Sequence, residues 1–139
     1  MRHERDELSF TTPGKGLLEF TPDVAGFVSE SGISEGLLSI FCAHTSCSLL
    51  IQENADPDVQ TDLEGYFDRI VPKNQSWFRH TTEGPDDMPA HIRTALTSVS
   101  LTIPVGGRRL LLGTWQGIYL FEHRDHAHSR RVILDLIGE

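Results

Sequence analysis

Hydrophobic positions along the chain fall into short runs whose spacing switches between the two-residue period of a strand and the three-to-four-residue period of a helix. Leu8 to Phe20 holds two short β-like runs around the turn Thr12-Pro13-Gly14. Pro22 to Ser31 carries Val24, Phe27 and Val28 at helical spacing, with Thr21 placed as N-cap, Pro22 at the first helical position and Gly32 after the end. Gly36 to Ala43 and Ser48 to Gln52 read as buried strands separated by His44-Thr45-Ser46. Asp56 caps and Pro57 opens the clearest helix; its stripe of Val59, Leu63, Phe67 and Ile70 predicts a core-facing side, and Pro72 ends it. Ser76 to Thr82 reads as a short strand or an extended loop, and Asp86-Asp87-Met88-Pro89 opens a helix reaching about Leu96. Val99, Leu101, Ile103 and Val105 alternate as in a half-buried strand, and Gly106-Gly107 is a turn. Leu110 to Leu112 and Ile118 to Phe121 read as strands around Gly113-Thr114-Trp115-Gln116-Gly117, and Arg130 to Ile137 alternates to the end. About eight short strands and three helices predict an α+β fold with a mostly antiparallel sheet. No repeat or linker divides the chain, so residues 1–139 read as one domain.

Composition narrows this picture. A TIM barrel needs about 250 residues and is excluded by a length of 139. A formal net charge of −8 argues against nonspecific nucleic-acid binding. No run of about 18 apolar residues is present, so no membrane span is expected. The charged start MRHERDELSF lacks the apolar segment of a signal peptide, and the expected location is cytoplasmic. All basic residues except Lys15 and Lys73 are Arg, which suits phosphate or carboxylate recognition, although genome-level composition bias produces the same excess. Cys42 and Cys47 form no CxxC pair; they fit a reduced chain, and Cys47 reads as a core residue.

Three of the seven histidines stand where chemistry is built. His44 interrupts a buried strand, His80 lies in Phe78-Arg79-His80-Thr81, and His91 lies on the helix that follows. Three imidazoles with an open water position make the pattern of a catalytic zinc site; the alternative is that each caps, pairs or lines an interface separately. The cluster Glu83-Gly84-Pro85-Asp86-Asp87 adds carboxylates that suit Mg²⁺, and Asp87 shares a helix face with His91 four residues on. One of Asp86 and Asp87 is also expected to cap that helix. Gln52-Glu53-Asn54 follows a buried strand, where loop structure and sites are equally at home. The Gly113 to Gly117 loop matches no phosphate-binding motif, and Trp115 reads as packing. His123-Arg124-Asp125-His126-Ala127-His128 reads as a hydrophilic hairpin loop outside the active site. Arg124, Arg130 and Arg131 near it could hold an acid or a phosphate, or serve surface solvation.

Four segments occur together in one order: Cys42-Ala43-His44-Thr45-Ser46; Gln52-Glu53-Asn54 with Asp56-Pro57; His80-x-x-Glu83-Gly84-x-Asp86-Asp87-Met88-Pro89-Ala90-His91-Ile92; and Leu112-Gly113-Thr114-Trp115-Gln116-Gly117-Ile118-Tyr119. In these the chain closely resembles the YjbQ family, also called UPF0047 or the secondary thiamine-phosphate synthase enzyme family, from about Phe10 to Glu139. The resemblance implies a compact α+β homotrimer with His44, His80 and His91 meeting at one metal, near a subunit boundary. It carries over the acidic residues Glu53, Glu83, Asp86 and Asp87, the E-x-R pair Glu122 and Arg124, and the basic Arg130. Position 47 departs from the family: Cys stands where Ala is frequent.

The activity the resemblance implies joins hydroxymethylpyrimidine diphosphate to thiazole phosphate and releases pyrophosphate. In that reading a divalent metal, zinc or, with a diphosphate substrate, magnesium, sits on His44, His80 and His91. Glu53, Glu83, Asp86 and Asp87 supply catalytic carboxylates, while Arg124, Arg130 and Gln116 bind a small anionic substrate. Two rivals stand beside it: a metal-dependent hydrolase of a small phosphorylated or cyclic metabolite, and a non-catalytic oligomer that holds metal or ligand.

Overall fold

The computed structural model describes residues 1–139. Eight strands and three helices run in the order β1 (Arg2–Thr12), β2 (Gly16–Glu19), α1 (Thr21–Ser31), β3 (Glu35–Cys42), β4 (Cys47–Glu53), α2 (Pro57–Ile70), α3 (Asp87–Leu96), β5 (Ser100–Gly106), β6 (Arg109–Leu110), β7 (Gln116–Glu122) and β8 (His128–Gly138). They build two antiparallel sheets, a five-stranded one in the order β1-β8-β3-β5-β6 and a three-stranded one in the order β2-β7-β4. The fold is α+β, as its patterning predicts.

One apolar core takes side chains from both sheets and α1. Leu38, Ile40 and Cys42 of β3, Ile103 and Val105 of β5, and Val132, Leu134 and Leu136 of β8 meet Leu49 of β4, Ile118 and Leu120 of β7, and Val24 and Val28 of α1. Strict alternation in β3 and β8 follows from this, since one face of the large sheet is core and the other is open. Strand β7 is buried from Gly117 to Glu122 because it is the middle strand of the small sheet. Its second face is covered by α2, where the Phe67 and Phe121 rings meet edge-on at 5.4 Å and Gln60 donates to the Tyr119 hydroxyl.

The expected stripe on α2 faces inward only in part: Val59, Leu63 and Phe67 are half-buried, with Phe67 on Phe121. No residue of the helix is fully buried, and Ile70 is 46% exposed, because α2 covers the outer face of a narrow sheet. Its start is as expected: Asp56 accepts from the Asp58 N–H and Pro57 opens the helix. Helix α1 begins one residue early. Phe20 occupies the cap position, and the Thr21 hydroxyl instead donates to Glu19 and accepts the Ile118 N–H, while Gly32 closes the helix at φ 74°. Strand β1 begins at Arg2 rather than near Leu8, because it is an edge strand whose charges face solvent while its backbone pairs with β8 from Arg2–Gly138 to Thr12–His128. Ser76 to Thr82 is loop. Trp115 is exposed rather than packed. No helix is long and apolar enough to cross a membrane.

Candidate functional site

The N-terminus of α3, the loop before it, the β3–β4 link and the segment after β7 converge on Asp87. Its carboxylate is 2% exposed and all of its near partners are polar. His80 Nε2 lies 2.6 Å and His91 Nε2 3.0 Å from Asp87 Oδ2, while Arg124 Nη1 lies 3.0 Å from Oδ1. The two imidazole rings stand 5.3 Å apart, centre to centre. Donor atoms of His80, Asp87 and His91 all lie within 4.8 Å of one another.

The His91 ring is oriented by backbone. Its Nδ1 sits 2.8 Å from the Thr45 carbonyl. A carbonyl only accepts, so Nδ1 carries a hydrogen and Nε2 is the nitrogen presented to the site. That nitrogen faces Asp87. Burial pushes the Asp87 carboxyl up, but His80, His91 and Arg124 together outweigh burial and hold it below its ordinary value. Two imidazole nitrogens and one carboxylate oxygen this close together are a donor set that can hold a metal ion.

Arg124 holds the approach to this group. Its Nε donates to Asp86 Oδ2 at 2.8 Å and its Nη2 to the Glu83 carbonyl at 3.0 Å. The Asp125 N–H also donates to Asp86 Oδ2. Against the push of burial, Arg124 and the Asp125 N–H lower the Asp86 carboxyl to about 2. The helix-capping expectation is thereby corrected. Asp86 occupies the cap position of α3, yet its side chain makes no cap hydrogen bond, because the distant Arg124 competes for it.

Behind this layer lies a buried ion pair. Arg130 donates through Nε at 2.7 Å and Nη2 at 2.5 Å to the two oxygens of Glu122, and through Nη2 to the carbonyl and hydroxyl of Ser46. Glu122 also accepts from the Thr12 hydroxyl and from the N–H groups of His123 and Arg124. Every lone pair of this carboxylate is used.

The sequence-derived site therefore divides. His80, His91 and Asp87 come together, with Asp87 placed as a candidate ligand and Glu83 at the rim, its Oε2 4.0 Å from His80 Nε2. His44 stands outside the group: its Nε2 accepts the Arg131 N–H at 2.8 Å, and it is not among the three donors that lie together. Burial, with Arg130 and Arg131, lowers the His44 pKa and keeps the ring neutral. Glu53 and Gln116 face each other across β4 and β7 at the end of β7 opposite Glu122. Six residues of strand put them about 20 Å from it. Glu53 accepts from the N–H groups of Ala55 and Asp56, and Gln116 from that of Gly113, so both serve local turns. Arg124 and Arg130 are not free anion receptors; their guanidinium groups are committed to Asp86, Asp87 and Glu122. His123, expected in a hydrophilic loop, is buried: its Nε2 lies 2.8 Å from Ser48 Oγ, its Nδ1 has no partner, and burial lowers it to about 3. The apolar run Ile118 to Phe121, two residues before it, is the signal that points inward.

A hollow of about 210 Å³ adjoins His80, lined among others by Asn74, Gln75, Phe78 and Met88. It offers amide groups beside an apolar wall next to the imidazole.

Known proteins share this sequence and fold. The UPF0047 protein YjbQ-like family pattern matches residues 6–139. The UPF0047 protein sll1880 of Synechocystis sp. is 51% identical, over 99% of this chain and 94% of that protein. The UPF0047 protein YugU of Bacillus subtilis is 37% identical, over 92% and 94%. The crystal structure of a YjbQ/UPF0047 family protein from Clostridium acetobutylicum superposes with a TM-score of 0.87 at 38% identity, covering 95% of this chain and 99% of that one. From the fold, the four ordered segments and these likenesses, the chain belongs to the YjbQ-like UPF0047 family.

Proposed function

We propose that the chain is a metal-dependent enzyme acting on a small anionic substrate, with His80, Asp87 and His91 as the protein ligands of a divalent metal. The observation that carries this reading is the convergence of His80 Nε2 and His91 Nε2 on one oxygen of the buried Asp87 carboxylate. Two imidazoles and a carboxylate suit zinc or iron better than magnesium. A bound ion of this kind polarises a phosphoryl or carbonyl oxygen and neutralises charge on a leaving group.

The chain's own residues supply orientation. The Thr45 carbonyl fixes the tautomer and angle of His91, in the manner of outer partners in metal sites. Arg124 takes Asp87 Oδ1 and so turns Oδ2 toward the histidines. Glu83, exposed at the rim, is the carboxylate at hand to hold or move a proton beside His80.

The reaction we assign first is thiamine-phosphate synthase-like transfer: hydroxymethylpyrimidine diphosphate joins thiazole phosphate and pyrophosphate leaves. Hydrolysis of a small phosphorylated or cyclic metabolite is the second reading, favoured by the imidazole-rich donors. The homotrimer implied by the resemblance belongs to the same proposal and is read by sedimentation.

Metal content of the tag-free protein tests the site. We expect about one transition-metal ion per chain in the wild type, none in His80→Ala/His91→Ala or Asp87→Asn, and retention in His44→Ala. Equal metal in wild type and the double variant overturns the assignment. Release of pyrophosphate from the two thiamine precursors supports transfer; its absence, with turnover of phosphorylated or cyclic esters, supports hydrolysis.

A further inference from the structure

The site makes no use of the two cysteines. Cys42 is the last residue of β3 and Cys47 the first of β4, so the link between them is where the chain crosses from the five-stranded sheet to the three-stranded one. Both thiols are buried, and their sulfurs lie 3.3 Å apart, with Cys42 Sγ also 3.5 Å from the Cys47 carbonyl oxygen. Neighbouring core positions of the same strands are Leu38, Ile40 and Leu49, hydrocarbons that need no partner. Two thiols facing each other are a different arrangement.

A disulfide has its sulfurs about 2.05 Å apart, so closure asks for little more than 1 Å of movement. Closing so short a link adds little loop entropy, which makes a structural staple a poor explanation for the pair. What the link carries is more informative. His44 accepts the Arg131 N–H, the Thr45 carbonyl orients His91, and Ser46 takes Arg130 through both its carbonyl and its hydroxyl. A bond between Cys42 and Cys47 encloses all three anchors in one ring. Thr45 in the middle of the link is exposed, so a small oxidant reaches the thiols through local opening of these few residues.

We infer that Cys42 and Cys47 form an oxidant-responsive thiol pair that closes to an intramolecular disulfide, with a peroxide as the class of oxidant. One sulfur attacks the peroxide O–O bond, becoming a sulfenic acid and releasing water. The second thiol then displaces the sulfenic hydroxyl as a second water, forming the S–S bond. The two thiols lose two hydrogens and two electrons together, and the peroxide takes up both. A reducing thiol reverses the change.

The test treats the folded, reduced chain with hydrogen peroxide, alkylates it in denaturant, and maps the peptides by mass. We expect both thiols to be lost together, a cross-link between Cys42 and Cys47 within one chain, and recovery of both with dithiothreitol. In Cys47→Ala the reaction is expected to stop at a sulfenic acid on Cys42 that dimedone captures, and Cys47→Ser checks that result if the alanine variant folds poorly. Exposed Met1 serves as the internal measure of oxidant dose. Two free thiols at a dose that oxidises Met1, or a cross-link joining two chains, overturns the inference. The readout is thiol chemistry alone, so it stands or falls independently of the metal reading.

Discussion

Replacing Arg130 with Met tests the buried ion pair behind the site. The substitution keeps an unbranched side chain of similar length and removes the two donors that reach Glu122 at 2.7 and 2.5 Å. The Glu122 carboxylate, 1% exposed, keeps only the Thr12 hydroxyl and the N–H groups of His123 and Arg124. Breaking a buried pair from one side costs about 3–5 kcal/mol, because the remaining charge is left without its counterion. For a chain of this size that is a fall in Tm of about 10–17 °C. Adding Glu122→Gln is expected to recover part of the loss, because the orphaned charge disappears while an amide oxygen in the Oε2 place keeps the His123 and Arg124 N–H groups and the amide NH2 donates to the Thr12 hydroxyl. The pH dependence has a definite sign. Burial raises the Glu122 carboxyl and Arg130 leads the groups that outweigh it. Without Arg130 the balance tips upward, so the deficit of the single variant shrinks as pH falls toward about 4. Thermal unfolding at pH 7 and pH 4, with the double-variant comparison, measures all three effects. A fall in Tm under about 3 °C, or a double variant no more stable than the single one, refutes the reasoning.

His123 should impose an acid limit: its folded pKa is lowered to about 3 from an ordinary value of 6.5, so the unfolded chain binds more protons between those values. Stability is therefore expected to fall by about 1.4 kcal/mol for each pH unit below 6.5, a slope that His123→Asn reduces in urea titrations. Asp86→Asn leaves Arg124 short of a charged partner and is expected to cost about 1–3 kcal/mol, with faster hydrogen exchange at the Asp125 amide. Gly36→Ala should strain the ladder between β3 and β8, because its Cβ would lie 2.3 Å from the Ile137 carbonyl oxygen, whereas Gly26→Ala meets open space on α1 and should stabilise by about 0.5–1 kcal/mol; denaturant midpoints compare the two.

Local chemistry was the readable part of this chain. The start of α2 at Asp56-Pro57 and the whole of α3 follow from residues close in sequence. Asp87 and His91 were expected to meet because four residues separate them on one helix face. What could not be read depends on distant partners. The Asp86 side chain leaves its capping role for Arg124, 38 residues away, and His44 takes the Arg131 N–H, 87 residues away. The outward placement of α2 reflects the narrowness of a sheet that periodicity does not reveal. Strand β1 hides in a charged segment because an edge strand needs backbone pairing more than apolar side chains.

The position of β8 bears on how the molecule comes into being. It lies between β1 and β3, so the five-stranded sheet acquires its inner strand from the last element of the chain. A growing polypeptide that has emerged only as far as β7 has two sheet edges, on β1 and β3, waiting for a partner still to be synthesised. Closing a ladder that joins Arg2 to Gly138 requires the loop entropy of nearly the whole chain to be overcome before its hydrogen bonds form. Completing the five-stranded sheet therefore waits for β8, and until β8 pairs, these open edges are exposed to pairing with another chain.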